Sequence, residues 1–190
     1  FTYPAGRIRI PNDSKSRAGG VLYSDYSLGR FFAEAARQPW FENTIFLVTA
    51  DHCASSAGRT EIPLQKYHIP ALILAPGLIE PGVVDGIVSQ IDLMPTLLSL
   101  LNMSYDSHFY GRSIFDPAYV NRAFIATYQD LGYLEGDTFT ILSPVRRFEQ
   151  SRVVPTEENP HHLEAMERKD AVQVDRAIGY YQTSCKWNKR

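Results

Sequence analysis

Along the chain, stretches in which apolar residues recur at helical spacing alternate with short runs that are apolar throughout. Over residues 21–37, Leu22, Tyr26, Phe31 and Ala35 fall among Ser24, Asp25, Arg30 and Glu34, and this spacing predicts an amphipathic helix. Asn43 and Thr44 then lead into "IFLVTA" (residues 45–50), a β-branched, apolar run of the kind carried by a strand covered on both faces. A second such run over residues 69–75 stops at Pro76-Gly77, and a third, shorter one is expected near residues 83–88. Beyond it, Asp92 can cap a helix carrying Leu93, Leu97, Leu98, Leu100 and Leu101. Strand and helix in alternation favour an α/β fold, a mostly parallel sheet with helices on both faces.

From about residue 121 the rhythm changes. "AFIATYQ", "GYL", "FTILSP" and "RRFEQS" follow one another quickly, separated by turn residues such as Gly136-Asp137 and Pro144, which predicts a small antiparallel portion. Residues 163–187 then read as one long helix, with Ala165, Met166, Val172, Ala177, Ile178 and Tyr181 as its core face. The first 20 residues, rich in Pro, Gly and Asn, read as a loop. The expected organisation is one unit: a loop at 1–20, an α/β core at 21–120, and short strands with a last helix at 121–190.

Composition narrows the partners. The 190 residues are 44% hydrophobic and 12% aromatic, enough to bury a sizeable core. A net charge of -2, from 19 basic and 21 acidic residues, leaves no broad basic field, so nucleic acid is not an expected partner. Cys53 and Cys185 lie far apart and belong to no zinc-type cluster. No run approaches the ~18–20 apolar residues of a membrane-spanning helix, and no secretory signal opens the chain, so it reads as soluble. Because residue 1 is Phe, the expectation is a boundary inside a longer protein.

The candidate chemistry gathers where the first apolar run ends. In open α/β sheets, ligands sit beyond the carboxyl ends of the strands, and Asp51 and His52 stand there. A carboxylate oxygen and an imidazole nitrogen suit a divalent ion. Both side chains can face one pocket only if the chain leaves the strand, as the small residues at 54–58 suggest. The plainer alternative makes Asp51 a turn cap and His52 a satisfied surface imidazole. His68 opens the next apolar run, with Lys66 two residues before it. The two could receive an anionic phosphate or sulfate ester, or be a structural histidine and a solvated lysine. Cys53 reads as an inert thiol, and His161-His162 as a surface pair.

Five stretches, "YSDYSLGRFF", "NTIFLVTADH", "YHIPALILAPG", "SQIDLMPTLLSLL" and "GRSIF", together resemble the sulfatase-like branch of the alkaline phosphatase superfamily. The nearest likeness is to membrane-anchored phosphoglycerol transferases of the lipoteichoic acid synthase type. The resemblance covers roughly residues 20–115 well, and "LGYL", "ILSP" and "AIGYYQTSC" less specifically.

It implies a metal-dependent transferase or hydrolase in which a threonine, or in true sulfatases a modified cysteine or serine, attacks a phosphate or sulfate ester. The family's metal pair maps onto Asp51 and His52. The implied ion is Mn²⁺, with Mg²⁺, Ca²⁺ or Zn²⁺ as alternatives, and the implied donor is phosphatidylglycerol with its anionic headgroup.

No stretch here resembles the family's nucleophile or its first acidic ligand, which are expected upstream of Phe1. The chain is therefore expected to be the C-terminal part of a catalytic domain, inactive without the missing N-terminal half. The parent is expected to be anchored in the cytoplasmic membrane, with this domain extracellular or periplasmic. Hydrolysis of the same esters, and a noncatalytic module binding a glycan or partner, are the competing readings.

Overall fold

The computed structural model describes residues 2–53 and 62–187. Helix α1 (Arg17–Ala35) begins four residues earlier than the apolar spacing predicts, because the Ser16 hydroxyl accepts the Gly19 amide and caps the first turn. Strands β1 (Phe46–Thr49) and β2 (Ala71–Leu74) pair in a two-stranded sheet. Helix α2 (Leu93–Leu100) follows a single 3-10 turn, Gln90–Asp92. Strands β3 (Arg122–Ala126), β4 (Leu131–Glu135), β5 (Thr138–Ser143), β6 (Arg147–Val153) and β7 (Leu163–Ala165) precede the last helix, α3 (Ala171–Trp187).

The class is α/β, but the sheet differs from the expectation. Among the described residues the larger sheet has five strands in the order β3-β4-β5-β6-β7, and every neighbouring pair is antiparallel. The antiparallel portion expected after residue 121 is present and forms the larger sheet; its β4 and β5 are joined by Gly136-Asp137 alone, with Gly136 at a φ of +58°, a link that can only return the chain alongside itself. The mostly parallel sheet expected before it is corrected, since among the described residues β1 and β2 pair only with each other. Nor is there a strand at 83–88 among the described residues; that segment is irregular.

The chain divides into two compact units. In the first, Phe1–Leu47 with Leu72–Pro81, the rings of Phe31, Phe32, Trp40 and Phe41 surround Phe46, with Phe32 at 5.3 Å between centroids. Tyr3 is buried, stacks on Tyr23 at 5.5 Å, and donates its hydroxyl to the Pro11 carbonyl at 3.0 Å. Glycine is required at position 19, since a Cβ there would stand 2.1 Å from the Tyr3 hydroxyl.

The second unit, Val48–Ala71 with Gly82–Arg190, is built on the five-stranded sheet. Its two faces follow the period-2 alternation of the strands. Ile125, Leu134 and Phe139 point to one face and form a core with Ile62 and Leu64. Phe124, Tyr133, Thr140 and Gln150 lie in register across the sheet on the other face. There Tyr180 of α3 packs against Phe124 at 4.7 Å and Tyr133 at 5.7 Å.

The long helix expected at 163–187 is also corrected. Residues 163–165 pair with β6, and α3 starts at Ala171 because the Asp170 carboxylate accepts the amides of Val172 and Gln173. Asp170 is in turn fastened by Gln150, whose side chain accepts the Asp170 amide at 2.7 Å and donates to its carbonyl at 3.0 Å. The packed face of α3 consists of Val174, Ala177 and Tyr180, whereas Val172 and Tyr181 are more than half exposed and Ile178 is also exposed.

Candidate functional site

The site is assembled at the end of β1, by groups that draw the chain out of the strand. The Thr49 hydroxyl donates to the Pro70 carbonyl at 3.0 Å. The Gln90 side-chain amide donates to the carbonyls of Ala50, at 3.1 Å, and Asp51, at 3.4 Å. With these carbonyls held from outside the strand ladder, the pleat no longer sends consecutive side chains to opposite faces. Asp51 and His52 turn toward one another, with His52 Nε2 3.5 Å from Asp51 Oδ2, while the His52 amide donates to Asp51 Oδ1 at 2.9 Å. The small-residue stretch at 54–58, on which the sequence argument for this exit leaned, lies outside the described residues.

His52 Nδ1 lies 2.8 Å from the Cys53 carbonyl, to which it can donate, and Nε2 faces the Asp51 side. Metal-ligating histidines commonly have this arrangement, with one nitrogen donating to a backbone carbonyl and the other left for the ion. The Asp51 and His52 side chains are 87% and 72% exposed, so an ion could reach both without displacing packed atoms. The pair therefore fits a divalent cation in donor type and orientation. It does not complete a site: no group of three or more His, Cys, Asp and Glu able to hold a metal occurs among the described residues. The pair offers two donors of the roughly four that a tetrahedral site needs.

Gln90 can reach the β1 exit because its turn is anchored on both sides. Asp92 stands at the N-cap of α2, as expected, but its side chain makes no capping bond to α2 and forms a capping box with Ser89 instead. The Asp92 carboxylate is fully buried. It accepts the Ser89 amide at 3.1 Å, the Arg112 amide at 2.8 Å, the Tyr119 hydroxyl at 2.9 Å and the Arg122 guanidinium at 3.2 Å. Burial works against the Arg122 charge, but Asp92, with Tyr180 and Tyr119, outweighs it and holds the Arg122 pKa above the ordinary range. The "GRSIF" stretch locks onto the same place. A Cβ at Gly111 would stand 2.0 Å from the Ile91 carbonyl oxygen, and the Ile114 amide donates to the Thr96 hydroxyl at 3.1 Å.

His68 stands close to the β1 exit through its backbone, since the Cys53 thiol donates to the His68 carbonyl at 3.2 Å. Its ring meets His161 edge to face, 5.3 Å between centroids. Burial, reinforced by the charge of His68, pushes the His161 pKa below the ordinary imidazole value. Lys66 closes a 3-10 turn at Leu64–Lys66 and pairs with none of Asp51, His52 and His68 among the described residues. Gln90 carries no sequence signal of its role, and by sequence His161 reads only as half of a surface pair. The Ser89-x-x-Asp92 spacing signals the turn that carries Gln90, but nothing in it signals where the amide reaches.

Residues 6–103 match the Sulfatase family, just over half of the chain. An arylsulfatase of Clostridium perfringens (strain 13 / Type A) is 30% identical over 107 residues, covering 52% of this chain and 22% of the arylsulfatase. The crystal structure of a protein in the alkaline phosphatase superfamily from Vibrio parahaemolyticus superposes with a TM-score of 0.82 at 32% identity. It covers 96% of this chain and 46% of its own. The chain thus spans less than half the length of either relative. Asp51, His52, Gln90 and the Asp92 turn all fall inside the matched stretch, and the chain belongs to the sulfatase family.

Proposed function

We propose that this chain is the C-terminal part of a sulfatase-type catalytic domain that cleaves phosphate or sulfate esters with the help of a divalent cation, and that Asp51 and His52 provide two of the cation's ligands. The observation that carries the reading is the convergence of the Asp51 carboxylate and His52 Nε2, 3.5 Å apart, at the end of β1. A cation held there would supply charge neutralisation for the ester oxygens. The chain's own part is to present the two donors from a turn held by Gln90, with His68 as a contact for the ester and Lys66 as a more remote positive charge.

Within this reading the ion is Mn²⁺ and the reaction is transfer of a phosphoglycerol group from a phosphatidylglycerol-type donor. Its support is the likeness of five sequence stretches to phosphoglycerol transferases of the lipoteichoic acid synthase type. Those enzymes also suggest a parent anchored in the cytoplasmic membrane, with this domain on the outer side. Among the described residues no helix is long and apolar enough to cross a membrane. The attacking nucleophile and the remaining ligands come from the other part of the domain. Exposed apolar side chains support such a partner in each unit: Val21 and Phe31 on α1, and Met94 on α2 with Leu101 just beyond it.

Hydrolysis is the second reading, favoured by the identity to an arylsulfatase. Incubating the full-length protein and Mn²⁺ with phosphatidylglycerol vesicles, and separately with p-nitrophenyl sulfate, separates the two. A new glycerophosphate ester is the expected product. Release of free headgroup or sulfate alone assigns hydrolysis, and no turnover of either compound sinks both.

A further inference from the structure

The loop joining β6 to β7 carries His161 to His68 and is braced to do so. The Thr156 amide donates to the Asn159 carbonyl at 3.0 Å, the Asn159 amide returns to the Thr156 hydroxyl at 3.0 Å, and the His161 amide donates to Asn159 Oδ1 at 2.9 Å. The Val154 amide closes the loop by donating to the His162 carbonyl at 2.9 Å. His161 is half-buried and His68 exposed, and none of their ring nitrogens is hydrogen-bonded among the described residues. The ring nitrogens of His161 are not among the buried unpartnered atoms, so they stay open to a ligand. Two further facts locate the pair. The His68 carbonyl receives the Cys53 thiol, one residue beyond His52. His161 lies well outside residues 6–103, the stretch matched to the family, so it is not part of what that stretch shares.

We propose that His68 and His161 form a specificity site beside the Asp51–His52 turn, which holds a second, non-reacting oxyanion of the substrate. Two imidazoles set edge to face present N–H donors from two directions, a geometry suited to a tetrahedral phosphate-like group rather than to a planar apolar one. The ligand class is a phosphate or sulfate besides the one that reacts: in transfer it is carried by the acceptor, since a phosphatidylglycerol-type donor has a single phosphate, and in hydrolysis by the ester itself. The kinetic part of this inference rests on the proposed ester chemistry; the binding part does not.

The test has two readouts on the full-length protein. In the first, inorganic phosphate is titrated while the histidine imidazole resonances are followed by NMR. Saturable movement of the His68 and His161 signals is expected in wild type, with the His68 movement lost in His161→Gln; stationary signals for both residues in wild type, or an undiminished His68 movement in the variant, overturn the site.

In the second, KM is measured for p-nitrophenyl phosphate and for a glycerol bisphosphate, in wild type and His161→Gln. The ratio of the bisphosphate KM to the monophosphate KM should rise roughly 10-fold, the size of a lost hydrogen bond to a charged group. An unchanged ratio overturns the specificity role, as does an effect confined to kcat. If wild type turns over neither ester, the enzyme reading has failed, and the imidazole titration alone decides whether the oxyanion site exists.

Discussion

The Arg122 guanidinium on β3 and the Asp92 carboxylate before α2 form an ion pair at 3.2 Å in which the two side chains are 2% and 0% exposed. Three further donors, the Ser89 and Arg112 amides and the Tyr119 hydroxyl, satisfy the carboxylate. Thirty residues of chain are thereby tied into one knot from which Gln90 projects. Removing one partner of such a pair leaves an uncompensated buried charge. Asp92→Asn should therefore cost about 3–5 kcal/mol in urea unfolding. A loss under about 1 kcal/mol would mean that the knot does not hold the fold.

The Gln90 amide touches neither the proposed cation nor the ester, and it acts by holding the Asp51 carbonyl. Gln90→Ala is expected to leave thermal unfolding within about 0.5 kcal/mol of wild type, since the residue is exposed. Mn²⁺ affinity of the full-length protein should fall roughly 10-fold, as it does when groups behind metal ligands are lost. Calorimetric titration giving the same affinity for both proteins would show that the turn holds itself.

Asp51 and His52 should behave in the opposite way to Asp92. Both are exposed and neither fastens the fold, so Asp51→Ala and His52→Ala should unfold within about 0.5 kcal/mol of wild type while abolishing Mn²⁺-dependent turnover. Full activity in either variant would remove the pair from the metal site.

Two tyrosines give the fold a sensitivity to alkali. Burial and the hydrogen bond to Asp92 raise the pKa of Tyr119, and burial with the hydrogen bond to Glu135 does the same for Tyr133, whose hydroxyl lies 2.5 Å from Glu135 Oε2. Arg176 also pairs with Glu135 and opposes that shift. A raised pKa means that the folded protein keeps a proton which the unfolded chain releases near the ordinary tyrosine value of about 10. The stabilisation is complete below that pH. It declines as pH rises toward the folded values, by up to about 1.4 kcal/mol per unit for each tyrosine. Denaturant unfolding across this range should show the decline, and Tyr133→Phe should flatten it. A flat wild-type profile would contradict the burial assigned to both hydroxyls.

Local pattern was enough wherever neighbouring residues decide the outcome. The periodicity over 21–37 marks α1, "IFLVTA" marks β1, and the quick succession of strands and turns after residue 121 marks an antiparallel meander. The same pattern failed at residues 163–170. There residues 163–165 pair with β6 and 166–170 are irregular, because Gln150 fixes Asp170 as the cap and so sets where α3 can begin. That decision is made by a residue 20 positions away.

By itself, then, the sequence determined the elements with strong periodicity, the α/β class, and the placing of an adjacent carboxylate and imidazole at the end of a strand. Only the tertiary structure decided that these two side chains face each other, that Gln90 holds their turn, that Asp92 sits at the centre of a buried knot, and that His161 meets His68. The physical reason lies in the range of the interactions. Helical and strand periodicity is written in residues a few positions apart. Hydrogen bonds from Gln90 to Asp51 and from Arg122 to Asp92, like the ring contact of His68 with His161, join residues 30 to 93 positions apart and exist only after the chain has folded back on itself.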